Sequence, residues 1–265
     1  MSSSDPIPGV DPFTASAARV YDYMLGGKDH YAVDRELGER LLANAPISPW
    51  IAQQNRLFLG RAVRYCAEQG LRQFLDLGSG LPTQENVHEV AQRVDPDCRV
   101  AYVDNDPVAV VHAQGLLAGA DGVVAVRGDL RRPAEILAND DVLRLIDFSR
   151  PVVVLMVAIL HFILDDEDPA GIVAEFFDAV PPGSYLVLSH ATHDIHPESA
   201  TVAREIYRRA SSPLVTRTRP EVGKLLEGLE PVDPGLVFIS EWRPTQKIAN
   251  PERSGLYAAV ARKPG

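Results

Sequence analysis

Phe74-Leu-Asp-Leu-Gly-Ser-Gly-Leu-Pro82 carries the reading on which the fold of this chain turns. An apolar run suited to a buried strand enters a glycine-serine-glycine turn, and the stretch that follows, 84–94, has helical spacing. A strand, a tight turn and a helix make the opening unit of a parallel α/β sheet, and such sheets hold ligands at the carboxyl ends of their strands. Gly78 and Gly80 suit that place because a residue without Cβ permits tight turning and lets a ligand lie against the backbone.

Outward from this loop the pattern repeats. Arg99-Val-Ala-Tyr-Val, Gly122-Val-Val-Ala-Val, Pro151-Val-Val-Val-Leu-Met and Ser184-Tyr-Leu-Val-Leu-Ser read as strands, with helices expected over 108–118, 134–139, 170–180 and 198–210. Near-continuous apolar strands alternating with helices indicate a mostly parallel sheet covered on both faces, a Rossmann-like α/β fold. Two further strand-like runs, Val237-Phe-Ile-Ser-Glu-Trp and Gly255-Leu-Tyr-Ala-Ala-Val-Ala-Arg, are expected to form a hairpin closing one sheet edge. Upstream, residues 1–12 have the composition of a flexible terminus, 13–70 read as a helical extension or lid, and 71–265 as the ligand-binding domain.

The 265 residues are 46% hydrophobic and 23% charged, which suits an ordinary globular chain. A formal net charge of −10 opposes binding to duplex nucleic acid, whose phosphates demand Lys and Arg. The longest apolar run, Val152 to Leu160, is far short of the ~20 residues that span a bilayer. With no signal-peptide pattern at the N-terminus and Cys66 and Cys98 outside any C-x-x-C motif, a cytoplasmic protein is expected.

Three acids stand at three successive strand ends. Asp76 precedes the glycine turn and suits a ligand carrying an ammonium group; Asp104, in Val-Asp-Asn-Asp-Pro, suits the two hydroxyls of a ribose. Asp129, in Gly-Asp-Leu, suits an adenine amino group, with Leu130 lining the ring. A dinucleotide fingerprint would need glycine at position 83, where Thr83 stands, and no G-K-[ST] follows for a phosphate-binding loop.

The order Asp-Leu-Gly-Ser-Gly, Val-Asp-Asn-Asp-Pro, Gly-Asp-Leu resembles a class I S-adenosylmethionine-dependent methyltransferase. Together with Ala18-Arg-Val-Tyr-Asp-Tyr-Met-Leu-Gly-Gly-Lys-Asp-His-Tyr and the segment Leu155 to Ile163, it resembles one bacterial, actinomycete-type family of S-adenosyl methyltransferases formerly catalogued as a domain of unknown function. The resemblance implies a seven-stranded sheet whose final strand is antiparallel, with S-adenosylmethionine as cofactor. It implies that Asp76, Gly78, Ser79 and Gly80 surround the methionine part, Asp104 with Asn105 the ribose, and Asp129 with Leu130 the adenine. Pro82 stands where such loops usually have a third glycine.

Gly26-Gly27 reads either as a helix C-cap and turn or as part of a lid in which Tyr21 covers the cofactor and Arg19 or Lys28 binds its carboxylate. His161, near the end of the fourth strand, and His190 and His193, after the fifth, are candidate bases or acceptor contacts. The cluster of His190, His193, Asp194 and His196 matches no zinc spacing, so no metal is expected. The expected activity is methyl transfer to a small-molecule acceptor. Two other readings stay open: a protein that binds S-adenosylmethionine without turnover, and an NAD-dependent oxidoreductase on a similar sheet.

Overall fold

The computed structural model describes residues 10–82 and 85–265. Its frame is a sheet in the order β3-β2-β1-β4-β5-β8-β6, with a further short strand, β7, also paired to β8. The strands are β1 (Gln73–Leu77), β2 (Arg99–Asp104), β3 (Val123–Arg127), β4 (Val153–Val157), β5 (Tyr185–Ala191), β6 (Glu230–Pro231), β7 (Val237–Phe238) and β8 (Leu256–Arg262). β1 to β5 run parallel, and β8 lies antiparallel to β5 with Ser189 opposite Ala258. The chain order therefore reverses between β1 and β4, which opens a crevice above their carboxyl ends.

Alternation along the strands divides the apolar core in two. Leu75, Leu77, Val154, Met156, Leu186 and Leu188 pack on one face, against the helices α6 (Pro133–Leu137), α7 (Asp140–Leu145) and α8 (Pro169–Asp178). Phe74, Val100, Val153, Leu155 and Val187 pack on the other, against Phe58, Ala62, Val63 and Cys66 of α3 (Ser48–Glu68) and Val87, Val90 and Ala91 of α4 (Val87–Val94). The stretch expected to be helical over 13–70 contains three helices, and the last of them is part of the sheet's own core.

The other two, α1 (Ala17–Met24) and α2 (Ala32–Asn44), join α9 (Pro197–Tyr207) in a separate apolar cluster that includes Val20, Met24, Leu37, Leu41, Ala52 and Ile206. This trio roofs the crevice. Buried charge anchors it: Arg19 Nε lies 2.8 Å from Asp34 Oδ2, and its Nη1 lies 3.1 Å from Asp106 Oδ2, just beyond β2. Ser16 Oγ donates to the same Asp106 oxygen. The other oxygen of Asp106 caps α5 (Pro107–Leu116) by accepting from Val108 N at 2.8 Å.

Element positions follow the sequence pattern, with differences at the edges. The helix expected over 84–94 is observed from Val87, and its first expected residue lies outside the described residues, as do residues 1–9 and Thr83. α7 and α10 (Arg219–Lys224) had no apolar run to announce them. The sheet has eight strands rather than seven, because β6 and β7 are two-residue pairings on opposite stretches of β8. The expected strand from Val237 ends after Phe238: Glu241 N bonds back to Phe238 O, and this turn carries Trp242 into the core against Phe58, with ring centroids 5.6 Å apart. Among the described residues no helix is long and apolar enough to cross a membrane.

Candidate functional site

A cavity of about 270 Å³ lies between the strand ends and the helical roof, close to the roughly 300–1,000 Å³ usual for small-molecule sites. Its floor is the turn after β1. Gly78 and Ser79 donate their N–H groups to Val103 O at 2.8 and 3.2 Å, which ties the turn to β2. Gly78 has φ +71°, and a Cβ there would stand 2.4 Å from Cγ1 of Ile159, so only glycine fits under that side chain. Gly80 has φ +66° and open space where a side chain would be.

Asp104 braces this turn. Its Oδ2 accepts from Gly80 N at 2.7 Å and its Oδ1 from Asp106 N at 2.8 Å, while the carboxylate also borders the cavity. Burial pushes Asp104 up to about 6, against the pull of those backbone donors. Burial likewise pushes Asp76 up to about 7; the Arg56 guanidinium lowers it and the neighbouring Asp104 raises it. Two carboxylates buried side by side, each with its charged form disfavoured by burial, form a site that a cationic, hydroxyl-bearing ligand suits.

Among the residues expected to bind the cofactor, Tyr21, Asp76, Gly78, Ser79, Gly80 and Asp104 border this cavity, as do Asn105, Asp129 and Leu130 further along. The Asp129 carboxylate is pulled up by burial, but hydrogen bonds and charge from Arg131 outweigh that and hold it below the usual range. Arg131 Nε lies 2.9 Å from Asp129 Oδ1, and Arg131 also reaches Glu167 at 3.3 Å.

Other candidates are brought elsewhere. Arg19 is buried in the anchor with Asp34 and Asp106 and does not border the cavity. Gly26 has φ +79° just beyond the end of α1, and Gly27 N bonds Asp22 O at 2.9 Å, the geometry of a helix C-cap. A Cβ on Gly27 would collide with the Asp22 carboxylate, which itself accepts from Asp29 N at 3.0 Å, so the glycine pair serves the turn; Lys28 is exposed.

The histidines separate in the same way. His190 donates from Nδ1 to Ala191 O at 2.8 Å and accepts at Nε2 from Arg217 at 2.8 Å, which leaves the ring neutral and fully engaged away from the cavity. Burial, reinforced by the Arg217 charge, lowers it to about 4. His193 pairs with Thr216 Oγ1 at 3.1 Å, also outside the cavity. His161 does border it, on the short 3-10 turn Leu160–Phe162 after β4. Its Nδ1 accepts from Ala191 N at 3.3 Å, so the ring hydrogen is on Nε2. Burial holds His161 well below the usual histidine range, and the repulsion it would feel from a protonated His190 and from the Arg217 charge adds to the effect. A hydrogen-bond donor suits this geometry better than the base expected from sequence.

Three contributors had no local signal in the sequence. Arg56 borders the cavity beside Asp76. Asn55 accepts from Ser189 Oγ at 2.7 Å and donates to Tyr21 Oη at 2.9 Å, joining β5 to α1 through α3. Arg217 donates to Leu160 O and Ile163 O at 3.0 and 2.9 Å and meets Asp165 at 2.6 Å, fixing the turn that carries His161.

A family model described as S-adenosyl methyltransferase matches residues 4–264. A candidate methyltransferase of Thermobifida fusca YX superposes with TM-score 0.93 at 39% identity, covering 99% of this chain and 100% of its own. A DUF574 family protein of Streptomyces avermitilis MA-4680 does so with TM-score 0.89 at 40% identity, covering 95% and 98%. Human N-acetylserotonin methyltransferase, solved with S-adenosylmethionine, reaches TM-score 0.50 at 17% identity over 92% of this chain and 62% of its own, a likeness of fold. No curated protein matches the chain.

Proposed function

Because the chain belongs to the S-adenosyl methyltransferase family, with S-adenosylmethionine as its cofactor, we propose that it methylates a small molecule held under the helical roof. The observation that carries this reading is the pair of buried carboxylates, Asp76 and Asp104, flanking a glycine turn at the mouth of a roofed cavity. The residues fit the cofactor on their own chemistry: a glycine cradle without side chains, acids for an ammonium group and a ribose, and an apolar wall.

When bound, S-adenosylmethionine supplies a methyl group on a positively charged sulfur, open to in-line attack by an acceptor's lone pair. Asp76 would hold the amino group, Arg56 the carboxylate, Asp104 with Asn105 the ribose hydroxyls, and Asp129 with Leu130 the adenine. Tyr21 and the roof helices exclude water and fix the acceptor against the donor, so that alignment supplies much of the rate. The two buried free thiols, Cys66 and Cys98, suit a reducing compartment, and we place the activity in the cytoplasm.

The test is calorimetric titration with S-adenosylmethionine, S-adenosylhomocysteine and, as control, NAD. It is paired with incubation of the enzyme, methyl-labelled S-adenosylmethionine and a cell extract separated by size. Binding of the two sulfur compounds, with label in the small-molecule fraction, is expected. Label in the protein or nucleic-acid fraction would overturn the small-molecule acceptor, and failure of the folded protein to bind either sulfur compound would overturn the cofactor site.

A further inference from the structure

Charge is segregated within the cavity. Its charged residues, Asp76, Asp104, Asp129, Arg56 and Arg131, come from the strand ends, the loop after β3 and α3, the half assigned above to the cofactor. The roof helices α1, α2 and α9 and the segment 211–214 give it Tyr21, Met24, Leu41, Tyr207 and Leu214 with small alanines and serines, and no ionised side chain among the described residues. Tyr21 presents its ring, because its hydroxyl is already engaged with Ala52 O at 3.0 Å and with Asn55. The Phe162 and Tyr207 rings pack on each other, centroids 5.5 Å apart at 54°, and together give the cavity an aromatic wall. A charged molecule in this half would lose its hydration without gaining a counter-ion.

The segment beyond α9 is pinned at both ends, by Ser211 N on Ala15 O and by Val215 N on His161 O, each at 2.8 Å. His161 thus stands where roof, segment and cofactor half meet, one turn beyond the Ile159 that covers Gly78. With Nδ1 occupied by Ala191 N–H, its ring offers Nε2–H as a donor. Resting on the methyltransferase reading, we propose that the acceptor is an apolar, ring-bearing phenol or enol whose reacting oxygen is held by the Nε2–H of His161.

The lone pairs decide for oxygen. A neutral amine has one, and a donor bonded to it would remove the nucleophile; an oxygen gives one pair to His161 and keeps another for attack. The hydroxyl gives up its proton to bulk water before the acceptor is seated under the roof, and the resulting oxyanion is held by His161 facing the positive sulfur. The C–O bond then forms from an oxygen lone pair while the C–S bond breaks with its electrons remaining on sulfur, giving a methyl ether and neutral S-adenosylhomocysteine.

The test measures binding of three probes, 2-naphthol, 2-naphthylamine and 6-hydroxy-2-naphthoate, to the full chain saturated with S-adenosylhomocysteine. 2-Naphthol is expected to bind at least about tenfold more tightly than 6-hydroxy-2-naphthoate, whose carboxylate meets the apolar half. His161→Phe should weaken 2-naphthol about five- to tenfold, the worth of one ordinary hydrogen bond, whereas His161→Gln, which retains an N–H donor, should stay within about twofold. Affinity for S-adenosylhomocysteine should be the same in all three proteins. Equal or tighter binding of 6-hydroxy-2-naphthoate, full affinity for 2-naphthol in His161→Phe, or preferential methylation of 2-naphthylamine with S-adenosylmethionine would overturn the proposal. Failure of S-adenosylhomocysteine to bind the folded wild type would instead overturn the methyltransferase reading beneath it.

Discussion

Asp104 shapes the glycine turn and faces the cavity with the same carboxylate, since each of its oxygens uses one acceptor site on a backbone N–H and retains another. Asp104→Ala removes a charged acceptor worth about 1.5–3 kcal/mol, so the affinity for S-adenosylmethionine is expected to fall roughly 10- to 150-fold by calorimetry. Unchanged affinity in a folded variant would place the ribose elsewhere. Asp76 is raised by burial from 3.8 to about 7, and a bound ammonium group restores its charge. Binding at pH 6.5 should therefore release protons, visible as a heat that depends on the buffer's ionisation enthalpy, and Asp76→Asn should release fewer. The same shift sets a stability slope. Between about pH 4 and 7 the folded apo protein holds more protons on Asp76 than the unfolded chain, so its contribution to stability declines as pH rises. His161 and His190, held neutral, act in the opposite sense and lose stability as pH falls below about 6.5. The Tm of Asp76→Asn relative to wild type isolates the aspartate and should increase from pH 5 to 8. Asp76 and Asp104 were legible because a strand's end can be read from its apolar run. Arg56 and Asn55 were not: they sit in an ordinary helical pattern, and the partners that give them meaning, Asp76 and Ser189, lie far along the chain.

Among the elements, α1 carries a motif for which the sequence offered two purposes, a helix C-cap or a cofactor lid. Arg19 and Gly26-Gly27 stand out in the sequence, yet they fasten a helix instead of facing the cavity. Arg19 bonds Asp34, Asp106 and Thr14 O, all within 3.1 Å, and is 3% exposed. Arg19→Met leaves two buried carboxylates without their cation, which should cost about 3–5 kcal/mol in urea denaturation. Were Arg19 a ligand contact, the affinity for S-adenosylmethionine would fall while stability hardly changed, and that outcome would return the residue to the site. The central strands were legible for the complementary reason: β1 and β4 are buried from both sides and must be apolar nearly throughout. β6 is a two-residue pairing on β8, too short to carry a period, and left no sign, whereas β7 was legible from Val237 onward but is cut to two residues by the turn that Glu241 N closes on Phe238 O.

At the scale of the whole molecule, the chain divides by packing at a point other than where its pattern changes. Helical periodicity runs on to about residue 70, but α3 belongs with the sheet: Phe58, Ala62, Val63 and Cys66 are fully buried against strand residues such as Phe74, Leu155 and Val187. α1 and α2 instead share their apolar cluster with α9 and meet the sheet's crevice through the Ser16 and Arg19 anchor. Two truncations separate these roles. Removing residues 1–46 takes away α1 and α2 but keeps α3, so the remaining chain should still unfold cooperatively, at a lower Tm because Ile206 and Ala52 lose their cover. It should bind S-adenosylmethionine at least about tenfold more weakly, since water then enters the crevice and solvates the charges that Asp76 and Asp104 would otherwise meet in a dry site. Removing residues 1–70 strips one face of the sheet, and circular dichroism with denaturant titration should show no cooperative transition. Cooperative folding of 71–265 alone would make all three helices a removable lid. Loss of folding in the shorter truncation would make α1 and α2 part of the core that α3 already completes.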